Sequence, residues 1–162
     1  LLSSCGVTLQ SVVDNNLTKT YDNPLLVIPY EKHRTLNFSN NLKKNIEEIY
    51  SVNNEKVEVI LIEQSSKADL TLNSTNDGEM KINNAITEDG KDIIIVFKPL
   101  NLQYYNNALQ SISYQLIGTD LETKREVWKA NFSSSGSFGP STFARASAQK
   151  IYQQLKDDRI LK

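Results

Sequence analysis

The run Leu25–Ile28 (LLVI) is the feature of this sequence that most constrains its fold. It is a continuous apolar stretch that lies between Pro24 and Pro29, with no polar residue at alternate positions. A strand with this composition is buried on both faces, so it needs strands on either side and helices that cover the sheet. The run therefore predicts an α/β protein with this strand inside the sheet.

The segments that follow alternate between helix and strand patterns. Apolar residues at helical spacing predict a helix over about 39–52, with Ser39 as its N-cap, and a weaker helix over 77–88. Runs rich in β-branched residues predict strands over 57–62 and 93–97. This order implies right-handed crossovers and parallel pairing.

The second half of the chain has a different pattern. Apolar and polar residues alternate over 112–117 and 128–132, which is typical of antiparallel strands with one solvated face, and a polar turn at 120–124 joins them. A closing helix begins at Pro140. We therefore predict one α/β domain over residues 24–162, with a mixed sheet, βαβα-ββα order and a two- or three-layer sandwich.

Residues 5–23 precede this predicted domain. They are rich in Thr, Ser, Asn and Asp and lack a sustained helical period. We predict a flexible tether here, with an edge strand at Val7–Leu9 as the alternative.

The segment Leu2-Ser3-Ser4-Cys5 resembles the lipobox of bacterial lipoproteins. In that family a signal peptidase cuts before the cysteine, whose sulfur carries a diacylglycerol and whose amine is acylated, commonly with palmitate. The resemblance implies that residues 1–4 are a signal-peptide remnant and that Cys5 is the lipid attachment site. Gly6, rather than an aspartate, follows the cysteine, which in lipoproteins of this kind resembles a sequence sorted to the outer membrane of the cell envelope. The absence of a run of acidic or basic residues straight after Cys5 favours a periplasm-facing location over surface display.

The architecture also resembles a family of small envelope domains. The LLVI strand, the hairpin over Asp120–Trp128 and the Ala-rich final helix resemble the α/β domain at the amino end of TolB and the CsgG-like accessory lipoproteins. This is a resemblance of fold pattern, and it implies no catalytic residue.

Composition excludes several classes of function. A net charge of −1 with scattered lysines gives no footprint for nucleic acid. The single cysteine excludes an internal disulfide, and the single histidine lacks partners for a metal site. We therefore predict no metal, no cofactor and no catalytic residue.

One weak ligand site is predicted where the last helix begins. Backbone donors there could hold an anion with help from Ser135, Ser137, Ser141 and Arg145, although glycine and serine are also ordinary turn and cap residues.

The favoured function is a non-catalytic binding or assembly module, whose membrane anchor raises its effective concentration against an envelope protein partner. Two alternatives stay open. An enzyme acting on cell-wall or carbohydrate substrates would need His33, Glu31 and a downstream carboxylate to converge at one end of the sheet. A carrier of a small ligand or lipid would need an enclosed apolar cavity.

Overall fold

The computed structural model describes residues 6–64, 76–136 and 139–162. Its elements in chain order are β1 (Gly6–Val13), β2 (Pro24–Tyr30), α1 (Leu36–Val52), β3 (Glu58–Glu63), α2 (Asn76–Glu88), β4 (Ile93–Tyr105), β5 (Ala108–Asp120), β6 (Glu126–Ser135) and α3 (Pro140–Asp157).

All six strands form one mixed sheet in the order β1-β6-β5-β4-β2-β3. The LLVI strand, β2, lies between β4 and β3 and runs parallel to both. The remaining neighbours pair antiparallel. The predicted α/β class with a mixed sheet is confirmed, and the apolar run is internal because both of its faces are covered.

Side chains of β2 divide between two cores. Leu26 and Ile28 belong to the larger core beneath α1 and α3, whereas Leu25 and Val27 pack with Ile60, Ile62 and Ala85 of α2 on the opposite face. The structure therefore has three layers at β2 and β3. Helix α3 lies over β1 and β6 on one face of the sheet, and α2 contacts β2 and β3 on the opposite face. On the face that carries α2, strands β1, β6 and β5 are not covered by any described helix.

Helix α1 begins three residues before the predicted start. Thr35 precedes the helix, and the predicted N-cap Ser39 lies fully buried inside it. The reason is Phe38, whose ring centroid lies 5.1 Å from that of Phe143 and 6.4 Å from that of Tyr114. Bringing this ring into the core makes residues 36–38 part of the first turn.

The strand predicted over 93–97 continues to Tyr105 and forms a long hairpin with β5. The two-residue turn is Asn106-Asn107, with φ of 48° and 62°. Left-handed backbone at both positions is typical of a type I′ turn, which suits the twist of antiparallel strands, and asparagine tolerates it better than most residues.

The predicted tether is wrong for residues 6–23. Gly6 to Val13 pair in register with Ser135 to Trp128 of β6. The following residues are held as well, since the Asp14 N–H donates to the Val127 carbonyl at 2.9 Å and Tyr21 is buried. The strand alternative is the better one, because Val7, Leu9 and Val13 pack against the core. The sheet therefore begins at Gly6 rather than at Pro24.

Candidate functional site

The first rung of the sheet crosses four strands. Gly6 of β1 pairs with Ser135 of β6, Ser135 pairs with Ser111 of β5, and Ser111 pairs with Gln103 of β4. The β4–β5 hairpin continues past this rung to its turn. We call this rung, together with the hairpin tip Tyr105–Ala108, the Gly6 end of the sheet. Cys5 precedes Gly6 in the chain and lies outside the described residues.

The parts of β1, β4, β5 and β6 that meet at the Gly6 end carry no ionisable side chain other than tyrosine, whereas the β2–α1 loop at the same end of the sheet carries Glu31, Lys32, His33 and Arg34. Residues 1–13, 99–119 and 130–144 contain no Asp, Glu, Lys, Arg or His. They supply β1, most of the hairpin, and the connection from β6 to α3. Three stretches that are far apart in the sequence therefore contribute strands without charged side chains to this end of the sheet.

Arg34 brings a charge close to this region from the loop after β2. Its guanidinium carbon lies 4.9 Å from the ring centroid of Tyr104, and its Nη1 lies 3.1 Å from Oε2 of Glu31. The cation is thus partly neutralised by its own loop.

The structure places the residues of the predicted anion site around the start of α3 without joining them. Ser135 is exposed at the end of β6, and Ser141 and Arg145 are exposed on the first turns of α3. Ser137 lies outside the described residues. Among the described hydrogen bonds and ion pairs, none joins Ser135, Ser141 and Arg145, so anion binding stays a prediction.

His33 is exposed in the loop after β2. Its predicted companion Glu31 forms an ion pair with Arg34 instead. In the part of the chain that the structure describes, no group of three or more His, Cys, Asp or Glu side chains is placed to hold a metal ion. The convergence that the enzyme alternative needs is not seen in these ranges.

The opposite end of the sheet holds a charged cluster around Asp120, whose side chain is 3% exposed. Its carboxylate accepts hydrogen bonds from the Tyr21 hydroxyl at 2.8 Å and from the N–H groups of Glu122 and Thr123 at 2.8 and 3.0 Å, and Lys19 Nζ lies 2.7 Å from Oδ2. Burial alone would raise the pKa of Asp120, but these donors outweigh it and hold the pKa well below its usual range.

The sequence predicts the turn at 120–124, but its pattern gives no sign that the Asp120 carboxylate is buried. The available signal for its hydrogen bonds is an aspartate at the first position of a turn. Its side chain can accept hydrogen bonds from the backbone N–H groups two and three residues later, here those of Glu122 and Thr123.

A cleft of about 350 Å³ lies where the parallel strands begin. It is lined by Tyr21, Pro24, Tyr50 and Leu161 together with polar residues that include Asn23, Glu55, Lys56 and Lys162. Burial raises the pKa of the Tyr50 hydroxyl, and Glu55 accepts from Tyr152 at 3.2 Å. This mixed, charged lining differs from the enclosed apolar cavity that a lipid carrier needs.

Comparisons with known proteins show the fold alone. No protein-family model and no curated protein sequence matches the chain. A PelC dodecamer from Paraburkholderia phytofirmans is similar in structure, with a TM-score of 0.56 and 11% identity over 97% of this chain and 100% of that one. A point variant of that PelC dodecamer gives a TM-score of 0.52 at 10% identity, with the same coverage.

No helix in the described ranges is both long and apolar enough to cross a membrane.

Proposed function

We propose that this protein is a lipid-anchored component of the bacterial cell envelope, attached through Cys5 to the outer membrane and facing the periplasm, and that its α/β domain is a non-catalytic binding or assembly module. The observation that carries the proposal is that Gly6, the residue after Cys5 in the chain, lies on the first rung, where the paired strands carry no charged side chain. Charged groups held against a bilayer would lose hydration at a cost, and the strands that meet at this rung carry none there, while Arg34 of the neighbouring loop is paired with Glu31.

The short connection to Cys5 fixes how the domain would sit. One extended residue spans about 3.4 Å, so a lipid on Cys5 would hold the Gly6 end directly at the membrane surface. The charged cluster around Asp120 would then face away from the bilayer. The anchor would therefore act by orienting the domain and confining it to the surface, which raises its effective concentration against neighbours in the same membrane.

An assembly role has support from the structural neighbours, which are dodecamers. A domain of this fold can therefore pack into an assembly of twelve copies. Copies that share one membrane orientation are related by rotation about the membrane normal, so a repeated contact between two different sides of the domain can close into a symmetric assembly.

The experiment that tests the anchor is intact-mass analysis of the protein made in a bacterium behind a lipoprotein signal peptide. We expect a mass equal to residues 5–162 plus a diacylglyceryl group and an acyl chain, with the protein in the outer-membrane fraction. The matched control is Cys5→Ser, which should remain unacylated and leave that fraction. An exported, folded protein with an unmodified Cys5 would overturn the proposal.

Assembly is tested separately on the acylated protein in detergent. Mass photometry or sedimentation should show species larger than one chain, or a stable complex with an envelope protein. A monomer that also recovers no partner reproducibly from envelope extracts would count against the assembly role while leaving the anchor intact.

A further inference from the structure

We infer that the tip of the β4–β5 hairpin is a second membrane contact, in which Tyr105 enters the headgroup region of the bilayer beside the lipid on Cys5. The inference rests on the proposed anchor, and it adds a surface and a residue that the anchor does not use. The occupant of this surface is the bilayer itself.

The hairpin reaches further than the cysteine along the strand direction. Ser111 lies on the rung of Gly6, and β5 extends three residues past it to Ala108, which pairs with Tyr105. At about 3.3 Å per residue the tip lies about 10 Å beyond the rung, whereas Cys5 is bonded to Gly6 of the rung and its Cα lies within about 3.8 Å of the Gly6 Cα. The tip is two to three strands from β1, or about 10–15 Å sideways. A bilayer that meets Cys5 therefore meets the hairpin tip as well.

The chemistry of the tip suits the interface between lipid and water. Tyr105 is 70% exposed, and its neighbours Asn106, Asn107 and Ala108 are exposed and uncharged. Tyrosine is enriched at bilayer interfaces because its ring is apolar and its hydroxyl is hydrated. A large exposed ring at the end of a hairpin does not contribute to the core, so core packing does not explain it.

The hairpin is held firmly enough to carry such a contact. Leu109, next to the tip, is only 3% exposed and belongs to the main core. The Gly136 N–H donates to the Gln110 carbonyl at 3.1 Å, which joins the hairpin to the end of β6. Tyr105 is therefore presented from a fixed position relative to Gly6.

Val52 provides a matched comparison. It is 76% exposed at the last residue of α1, which runs away from the Gly6 end because it follows β2 and returns to the start of β3. The residues after it include Glu55 and Lys56. Val52 lies at the end of the sheet opposite to the Gly6 end, so its exposed apolar side chain should stay in water when the Gly6 end meets a bilayer.

The experiment attaches the lipid chemically, so that it does not depend on biological acylation. The full chain, whose only cysteine is Cys5, is coupled to vesicles that contain a phospholipid with a maleimide headgroup. Tyr105→Trp and Val52→Trp are compared in vesicles with and without brominated phospholipids, which quench nearby tryptophan. The native Trp128 is 1% exposed and is common to both variants.

The emission of the new tryptophan is the difference between the variant and the unsubstituted protein, which contains Trp128 alone. For Tyr105→Trp we expect this difference emission to shift to shorter wavelength on coupling to vesicles. It should also fall about two-fold or more with brominated lipid, as for an interfacial tryptophan. Val52→Trp should show neither change, and Cys5→Ser versions mixed with the same vesicles should show neither. Equal quenching of the two variants, or none in Tyr105→Trp, would overturn the inference. The chemical coupling replaces biological acylation in this experiment. A failure of the Tyr105 inference therefore does not bear on the anchor, which the intact-mass measurement tests.

Discussion

Trp128 donates its indole N–H to Oδ2 of Asp158 at 2.7 Å, which joins the start of β6 to the C-cap residue that follows α3. The Ser11 hydroxyl of β1 donates to the same oxygen at 2.5 Å, and the Gln154 amide donates to Oδ1 at 2.9 Å. A single carboxylate therefore connects β1, β6 and α3. This connection holds the first strand of the chain against the last helix.

Replacing Asp158 with alanine should destabilise the fold. The buried indole N–H would lose its acceptor, at a cost of about 1–3 kcal/mol in the free energy of unfolding. Urea unfolding followed by the fluorescence of Trp128 measures this cost. The control is Asp157→Ala, because Asp157 is exposed and accepts from Gln153 alone among the described residues. Equal costs for the two variants would show that the Trp128 contact adds nothing.

Asp120 should make stability depend on pH in acid. Its pKa is lowered by folding, so its contribution is present above about pH 4, where an unfolded aspartate is ionised, and is lost as the pH falls toward the folded pKa. Asp120→Asn should lower the free energy of unfolding by about 1–3 kcal/mol at pH 7 and flatten its slope below pH 4. Urea titrations at several pH values measure both effects. An unchanged slope in the variant would refute the assignment.

The segment after α3 should contribute to stability. Ile160 is fully buried, and Leu161 forms a parallel bridge with Tyr21. Ile160→Ala should cost about 2–4 kcal/mol because it leaves a cavity in the core. Val52→Ala removes an exposed side chain and should change the free energy of unfolding by less than about 0.5 kcal/mol. Thermal unfolding distinguishes the two, and a small effect of Ile160→Ala would mean that the segment is not docked in solution.

The Asn106-Asn107 turn should prefer glycine at its second position. Asn107 has φ of 62°, so Asn107→Gly should stabilise the fold by a few tenths to about 1 kcal/mol, whereas Asn107→Val should destabilise it by about 1–2 kcal/mol. The midpoint of urea unfolding gives both values. Asn131→Val, at an exposed strand position of β6, controls for the general effect of replacing asparagine with valine. Similar losses in both valine variants would argue against a left-handed turn.

The two edges of the sheet should differ in their tendency to pair with other strands. At the β3 edge Lys43 Nζ donates to the Val59 carbonyl at 2.9 Å, while β1 has no charged residue. Charged groups at an edge oppose strand pairing, so unacylated Cys5→Ser protein should self-associate through β1 as its concentration rises.

Adding Gln10→Lys should weaken that association by about 0.2–1 kcal/mol for each like-charge pair. Asn131→Lys places the same charge one strand further in, since Asn131 pairs with Gln10. Sedimentation equilibrium compares the two variants. Equal weakening by both would mean that net charge, rather than the β1 edge, controls association.

Elements with strong local patterns could be predicted from the sequence. Continuous burial of β2 is visible in its apolar run, and the buried face of α3 is visible in Ala144, Ala148, Ile151 and Leu155, each no more than 1% exposed. The sequence could not show that Asn106-Asn107 forms the β4–β5 turn, because it is one of several Asn pairs and these pairs occupy different kinds of structure. Asn40-Asn41 and Asn83-Asn84 lie inside helices, and Asn53-Asn54 ends α1.

The candidate site was harder to predict because it depends on topology. Its three uncharged stretches can be read from the sequence, but only the strand order shows that they meet. Strand β1 was missed as an eight-residue element because its side chains are half-buried at most and its partner β6 lies at the far end of the chain. Long-range pairing of this kind leaves no local signal beyond a weak alternation.

The pairing of β1 with β6 also sets an order of events in time. Residues 6–13 have no ladder partner among the described strands until Trp128–Ser135 has been synthesised, and contacts this distant in sequence close late in folding. Throughout that interval residues 6–13 lack their ladder partner, and closure of the sheet ends the interval. The acylation proposed here would find Gly6, next to Cys5 in the chain, free of its β6 partner during that interval. A delay in β6 pairing would lengthen the interval, and earlier pairing would shorten it.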